Sequence, residues 1–147
     1  MFAMVCKFSS GNYQNYTLYS DDEGLTWNVS ATSAYDGGDE AKVAELPDGT
    51  VMLSTRRSGN RGFNLSTDGG ETWGQQYENS QIWGASCNAD ILVYSDDIIL
   101  HTICNSGSRQ NVTLYASIDG GKTYPYKKVI CELGSATPPS SAWPTAT

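Results

Sequence analysis

Basic residues are scarce in this chain: nine lysines and arginines stand against sixteen aspartates and glutamates, a net charge of −7. That balance excludes a general affinity for nucleic acid or anionic membrane. It leaves room for a local anion site, because Arg56, Arg57 and Arg61 cluster within six residues. Histidine is almost absent, with His101 alone, and the four cysteines (Cys6, Cys87, Cys104, Cys131) include no CxxC pair. Zinc spacing is therefore lacking. The cysteines read as scattered buried thiols, with disulfides as the alternative. No run approaches the roughly 20 apolar residues of a membrane span. The N-terminus has neither a basic region nor a long apolar core, so it does not read as a signal peptide. Met1-Phe2-Ala3-Met4-Val5-Cys6 reads instead as a strand, as though Met1 were internal. Helical periodicity is missing throughout.

What the chain has is repetition. Ser20-Asp21-Asp22-Glu23-Gly24-Leu25-Thr26-Trp27, Ser66-Thr67-Asp68-Gly69-Gly70-Glu71-Thr72-Trp73 and Ser117-Ile118-Asp119-Gly120-Gly121-Lys122-Thr123-Tyr124 share the pattern Ser-x-Asp-x-Gly-x-Thr-aromatic. The copies recur after 46 and then 51 residues, counted from Ser20 to Ser66 to Ser117. That period is the size of one propeller blade. Asp-Gly-Gly between β-like runs is a hairpin signal, because glycine supplies the positive φ a tight turn requires. Strands are expected at 16–19, 62–65 and 111–115 before the three copies, and at 42–46, 50–55, 89–94, 98–103 and 126–132. Pro47-Asp48-Gly49 marks a turn, and Ser95-Asp96-Asp97 marks another between two apolar strands. The fold expected is all-β: about three antiparallel blades of a propeller.

Within each copy the serine hydroxyl and the aspartate carboxylate can bond backbone amides of their own turn. The terminal aromatic is expected to cover the hairpin. Asp22, Asp68 and Asp119 are therefore structural rather than catalytic. His101, inside an apolar run, reads as core or strand surface. Arg57 and Arg61 read as surface or rim residues. The sequons at Asn15, Asn28, Asn64 and Asn111 arise readily in a chain this rich in Ser, Thr and Asn, and would matter only in a eukaryotic secretory pathway.

The repeat resembles the Asp box, or bacterial neuraminidase repeat. The segments between the boxes resemble the bacterial-type exo-α-sialidases of glycoside hydrolase family 33. The match is carried by Asp39-Glu40-Ala41-Lys42-Val43-Ala44-Glu45-Leu46-Pro47-Asp48-Gly49 and by Val51-Met52-Leu53-Ser54-Thr55-Arg56. There an acidic residue precedes a strand, a Leu-x-Asp-Gly turn follows, and the next strand ends in arginine. The resemblance runs to about Ala136. It implies a fragment of a six-bladed sialidase propeller, a partial catalytic domain over residues 1–136.

The resemblance also implies roles. Glu40 matches the glutamate beside the family's tyrosine nucleophile, and Arg56 matches one of three arginines that grip the carboxylate of sialic acid. Arg109, eight residues before Ser117, matches a second. Arginine stays charged and offers parallel N–H donors to a carboxylate. A neutral phenol suits an anionic substrate, but with a pKa near 10 it needs a base such as Glu40. The implied substrates are terminal α-linked sialic acids on glycans or glycoproteins. No cofactor, metal or nucleic acid is implied, and family members are secreted, periplasmic or attached to the cell surface. A non-catalytic Asp-box propeller that binds protein or glycan is the alternative.

Two family elements have no counterpart here: the acid/base aspartate with the first arginine, and the tyrosine expected where Thr137 stands. Residues 137–147, Thr-Pro-Pro-Ser-Ser-Ala-Trp-Pro-Thr-Ala-Thr, read as an aberrant tail. One base restored before codon 137 makes its codons compatible with Tyr-Ser-Ser-Leu-x-x-Leu-Ala-Asp-Gly-Asn, the expected nucleophile strand and turn. A frame shift would thus account for the break, and the isolated chain is expected to be inactive.

Overall fold

A computed structural model describes residues 2–7 and 11–132; the tail at 137–147 lies outside the described residues. These residues form twelve strands in three antiparallel four-stranded sheets, with no helix among them. The first sheet holds β1 (Phe2–Lys7), β2 (Tyr13–Tyr19), β3 (Asn28–Val29) and β4 (Tyr35–Asp36), the last two both paired with β2. The second runs in order β5 (Ala41–Glu45), β6 (Val51–Thr55), β7 (Gly59–Ser66) and β8 (Tyr77–Gly84). The third runs β9 (Asp90–Ser95), β10 (Ile98–Cys104), β11 (Val112–Ser117) and β12 (Tyr126–Cys131). Each sheet is a blade. The first strands of neighbouring blades, β1 with β5 and β5 with β9, lie side by side.

The middle blade shows why these sequences must be strands buried on both faces. All five residues of β6 are buried, and they divide by alternation. Val51 and Leu53 pack with Ala34, Tyr35 and Trp73 towards the first blade. Met52 joins Phe63, Ile82, Ile99, Ile103, Tyr115 and Tyr124 towards the third. Strand β7 divides likewise. Phe63 and Leu65 face the third blade, whereas the Asn64 amide donates to Ala34 O at 2.8 Å on the other side. The first interface is polar as well. Asn15 and Thr17 are fully buried, and Thr55 Oγ1 donates to Asn15 Oδ1 at 2.7 Å. Burial of Asn15 and Asn64 removes two of the four sequons from any modifying enzyme in the folded chain.

The boxes form the turns after β2, β7 and β11. In each, the serine hydroxyl accepts an amide four residues on, Gly24 N at 2.8 Å, Gly70 N at 2.9 Å and Gly121 N at 2.9 Å. The aspartate accepts from the threonine amide at 2.8, 3.0 and 2.9 Å and from the same threonine's hydroxyl. Those bonds stabilise the carboxylate form, holding Asp22, Asp68 and Asp119 at about 2. The first box lacks the Gly-Gly pair, so Glu23 takes a positive φ of 59°, a conformation that costs a side-chain-bearing residue roughly 1–2 kcal/mol.

The aromatics differ from expectation. Trp73 does not cover its own hairpin: its Nε1 donates to Thr17 Oγ1 in the first blade at 3.1 Å. Tyr124 is buried against Phe63 of the second blade, with centroids 6.4 Å apart. Boxes two and three therefore staple each blade to the one before it. Only Trp27 bonds within its own turn, to Gly24 O at 3.0 Å.

Candidate active site

The sites of interest lie at the end of the blades opposite the boxes. Strand β6 runs away from the box end, β7 returns to it, and the same holds for β10 and β11. The extension of β5, the end of β6 and the β10–β11 loop thus meet on one side. Glu40 and Arg56 continue the β5–β6 ladder one step past the Ala41–Thr55 pair, with Arg56 N donating to Glu40 O at 2.8 Å. Directly opposed residues share a face of the sheet. Arg56 Nη1 accordingly lies 3.0 Å from Glu40 Oε2, with Asp39 Oδ2 at 3.5 Å. Arg56 Nε donates to Ser86 Oγ at 3.2 Å. The backbone beneath is fixed from the first blade, where the Asn15 amide donates to Asp39 O at 2.7 Å.

Arg109 belongs to the loop 105–111. Asn105 N donates to Asn111 O at 3.0 Å, and the Asn105 amide donates to Trp83 O at 2.7 Å, which ties the loop to β8. Inside the loop, Ser106 Oγ donates to Ser108 O at 2.6 Å. Glu40 and Arg109 line one open cavity of about 440 Å³, together with Lys42, Asn88, Asp90 and Thr102. Arg56 stands at its edge, joined to it through Glu40. Of the three residues singled out in the sequence, Glu40 and Arg109 line the cleft between the second and third blades, and Arg56 contacts Glu40 from outside that lining. Among the described residues, no cluster of three or more His, Cys, Asp or Glu side chains is placed to hold a metal ion.

Of the two other arginines in this segment, Arg57 fits the rim reading and Arg61 does not. Arg57 is half-buried; it donates to Tyr35 Oη at 2.7 Å and pairs with Glu78. Arg61, read as a rim residue, is only 1% exposed. It sits on the face of β7 that carries Phe63 and Leu65, turned towards the third blade. The signal was present: Arg61, Phe63 and Leu65 alternate with Gly62, Asn64 and Ser66, which sets arginine on an apolar face. Arg61 Nε donates to Ser54 Oγ at 2.9 Å, and Nη1 and Nη2 donate to Cys87 O and Ser54 O, both at 3.3 Å. Ser54 Oγ is also 2.8 Å from His101 Nε2. His101 is core, stripped of solvent and held neutral down to about 3, with the nearby Arg61 charge adding to the effect. Cys87 and Cys104 are buried thiols that line the cleft.

No protein-family model matches the chain. Curated relatives do. A sialidase of Micromonospora viridifaciens is 33% identical over 82% of this chain and 21% of its own length. A sialidase of Bacteroides fragilis is 29% identical over 80% of this chain and 24% of its own. Among solved structures, the Hadza microbial sialidase Hz136 superposes with a TM-score of 0.79 at 27% identity, covering 90% of this chain and 28% of that one. The chain therefore spans about a fifth to a quarter of the length of the curated relatives it matches. Three blades, their strand order and these matches make the chain a homologue of the sialidases, corresponding to part of a sialidase β-propeller.

Proposed function

We propose that this chain is a portion of an exo-α-sialidase, a retaining glycosidase that removes terminal α-linked sialic acids from glycans and glycoproteins. One observation supports the reading: Glu40 and the loop residue Arg109 line a single cleft at the end of the blades away from the boxes, and Arg56 is paired with Glu40. Within a complete propeller, Arg56 and Arg109 bind the sugar carboxylate and fix its orientation. Glu40 takes the proton of the tyrosine phenol as the phenol oxygen attacks the anomeric carbon and the glycosidic bond breaks, the aglycone leaving with a proton from the acid/base aspartate. Water then displaces the tyrosine, freeing the sugar and returning the phenol its proton. The Glu40–Arg56 pair does not block this. Its side chains are 47% and 23% exposed, and pairs so placed contribute about 0–1 kcal/mol, so a carboxylate can displace Glu40 at little cost. The aromatic nucleophile and the acid/base aspartate have no counterpart in this sequence, and three blades do not enclose a substrate. The chain alone is inactive. Purified chain incubated with a fluorogenic sialoside is expected to release no fluorophore above a Glu40→Ala control; release above that control overturns the inactivity.

The same ion pair favours the second reading, a non-catalytic Asp-box propeller, because it satisfies both groups without a ligand. Titration with N-acetylneuraminic acid and with its methyl ester separates the two. A carboxylate site shifts the Arg56 and Arg109 Nε–Hε resonances with the acid and not with the ester. Equal response to both, or none, removes the sialidase reading.

A further inference from the structure

We infer that Arg61 is a positioning residue for the sugar acid: from inside the interface of the second and third blades it fastens the Ala85–Ala89 crossover to β6, and that crossover aims Arg56 through Ser86. The inference rests on reading the cleft as a sugar-acid site.

A cation 1% exposed is costly to keep. Arg61 takes part in none of the three ion pairs among the described residues, which join Arg56 to Asp39 and Glu40 and Arg57 to Glu78. Burial lowers its affinity for its proton, to about 10, so it stays charged at neutral pH. If filling space were its task, an apolar side chain of similar volume would serve as well or better. What a guanidinium adds is reach in a fixed fork. Nε and Nη2 hold Ser54 on β6, while Nη1 holds the carbonyl of Cys87 on the segment that crosses from β8 to β9. That segment is also held by Ala85 N donating to Cys104 O at 3.3 Å and by Ala85, Cys87 and Ala89 packing in the core.

The crossover carries the cleft. Cys87, Asn88 and Ala89 line its wall, and Ser86, the neighbour of the clamped carbonyl, accepts from Arg56 Nε. Arg56 spends Nη1 on Glu40 and Asp39 and Nε on Ser86. The Ser86 contact adds a second point of attachment to the one at Nη1, and two points fix the plane of the fork where one lets it turn. Loss of the clamp frees Ser86, and with it the direction of Arg56.

The test uses the full chain with Arg61→Met, Ser86→Ala and the double variant, each titrated with N-acetylneuraminic acid and its methyl ester. Each single change is expected to weaken acid binding about five- to tenfold with ester binding unmoved, and the double is expected to be no weaker than the worse single, because both act on one contact. Losses that multiply overturn the inference. The Arg56 Nε–Hε resonance supplies a readout that needs no ligand: it is expected to move in Ser86→Ala and equally in Arg61→Met, or in Arg61→Lys should the methionine variant not fold. A resonance unmoved by the Arg61 variants overturns the clamp. If it moves while the unaltered chain shows no preference for acid over ester, the sugar-acid reading falls and the clamp alone stands.

Discussion

The two ends of the blades draw on the same kinds of residue and use them in opposite ways. At the box end, carboxylates and hydroxyls are consumed by their own turns: Ser66, Asp68 and Thr72 bond one another and the Gly70 amide. At the other end Glu40, Lys42, Asp90 and Arg109 turn towards a cavity, where Glu40 pairs with Arg56 and Asp90 accepts the Ile91 amide. The lesson is that repetition marks scaffold. A motif copied three times must solve a problem common to every blade, whereas a binding site is built from residues that occur once.

That division is open to attack, first through acid. His101 lies in the core between the second and third blades and keeps its neutral form down to about 3, although an exposed imidazole titrates near 6.5. As pH falls through that window the unfolded chain gains the proton first, so stability declines, by up to about tenfold in the folding constant per pH unit. The box aspartates titrate near 2 against an ordinary 3.8; their contribution is intact above about pH 4 and fades from there towards 2. Urea unfolding across pH should show both windows. His101→Gln is expected to flatten the upper one and spare the lower; an unchanged upper slope would break the assignment.

A smaller effect belongs to Ser117→Ala. This hydroxyl is fully buried and takes the Gly121 amide, and leaving that donor unpaired costs about 1–3 kcal/mol. The urea midpoint should drop while preference for the acid over its ester persists. Loss of that preference in a folded Ser117→Ala chain would show the two ends to be coupled. The smallest change in stability, within about 0.5 kcal/mol, is expected for the exposed Arg109→Ala, which should nevertheless abolish acid preference. A large drop in its midpoint would make Arg109 part of the scaffold.

Most of the architecture was legible because blade strands alternate and box turns carry glycine. Strands β5, β6, β9 and β10 fall within a residue or so of their expected bounds. Strand β8 carries no clean alternation in its sequence. Tyr77-Glu78-Asn79-Ser80-Gln81-Ile82-Trp83-Gly84 buries only Asn79, Ile82 and Gly84, a spacing disturbed where its register with β7 shifts between Asn60 and Arg61. Gly84, which breaks the apolar pattern, is there because a Cβ would stand 2.1 Å from Cys104 O in the next blade. Glu40, Arg56 and Arg109 could be picked out from resemblance and chemistry, but their convergence depends on how the second and third blades turn against each other. Arg61 reads as a rim residue from its type, whereas its position in β7 sets it inside. A guanidinium is inferred to be at the rim by default, and here three uncharged acceptors keep it inside.

The Trp73–Thr17 and Tyr124–Phe63 contacts have a further consequence for how such a molecule grows. The second and third repeats each bring a hook, an aromatic ring, and the first and second sheets each offer an eye, a socket on the flank. A duplicated stretch of about fifty codons would arrive already able to couple at both sides, so lengthening the array requires no new invention at the seam.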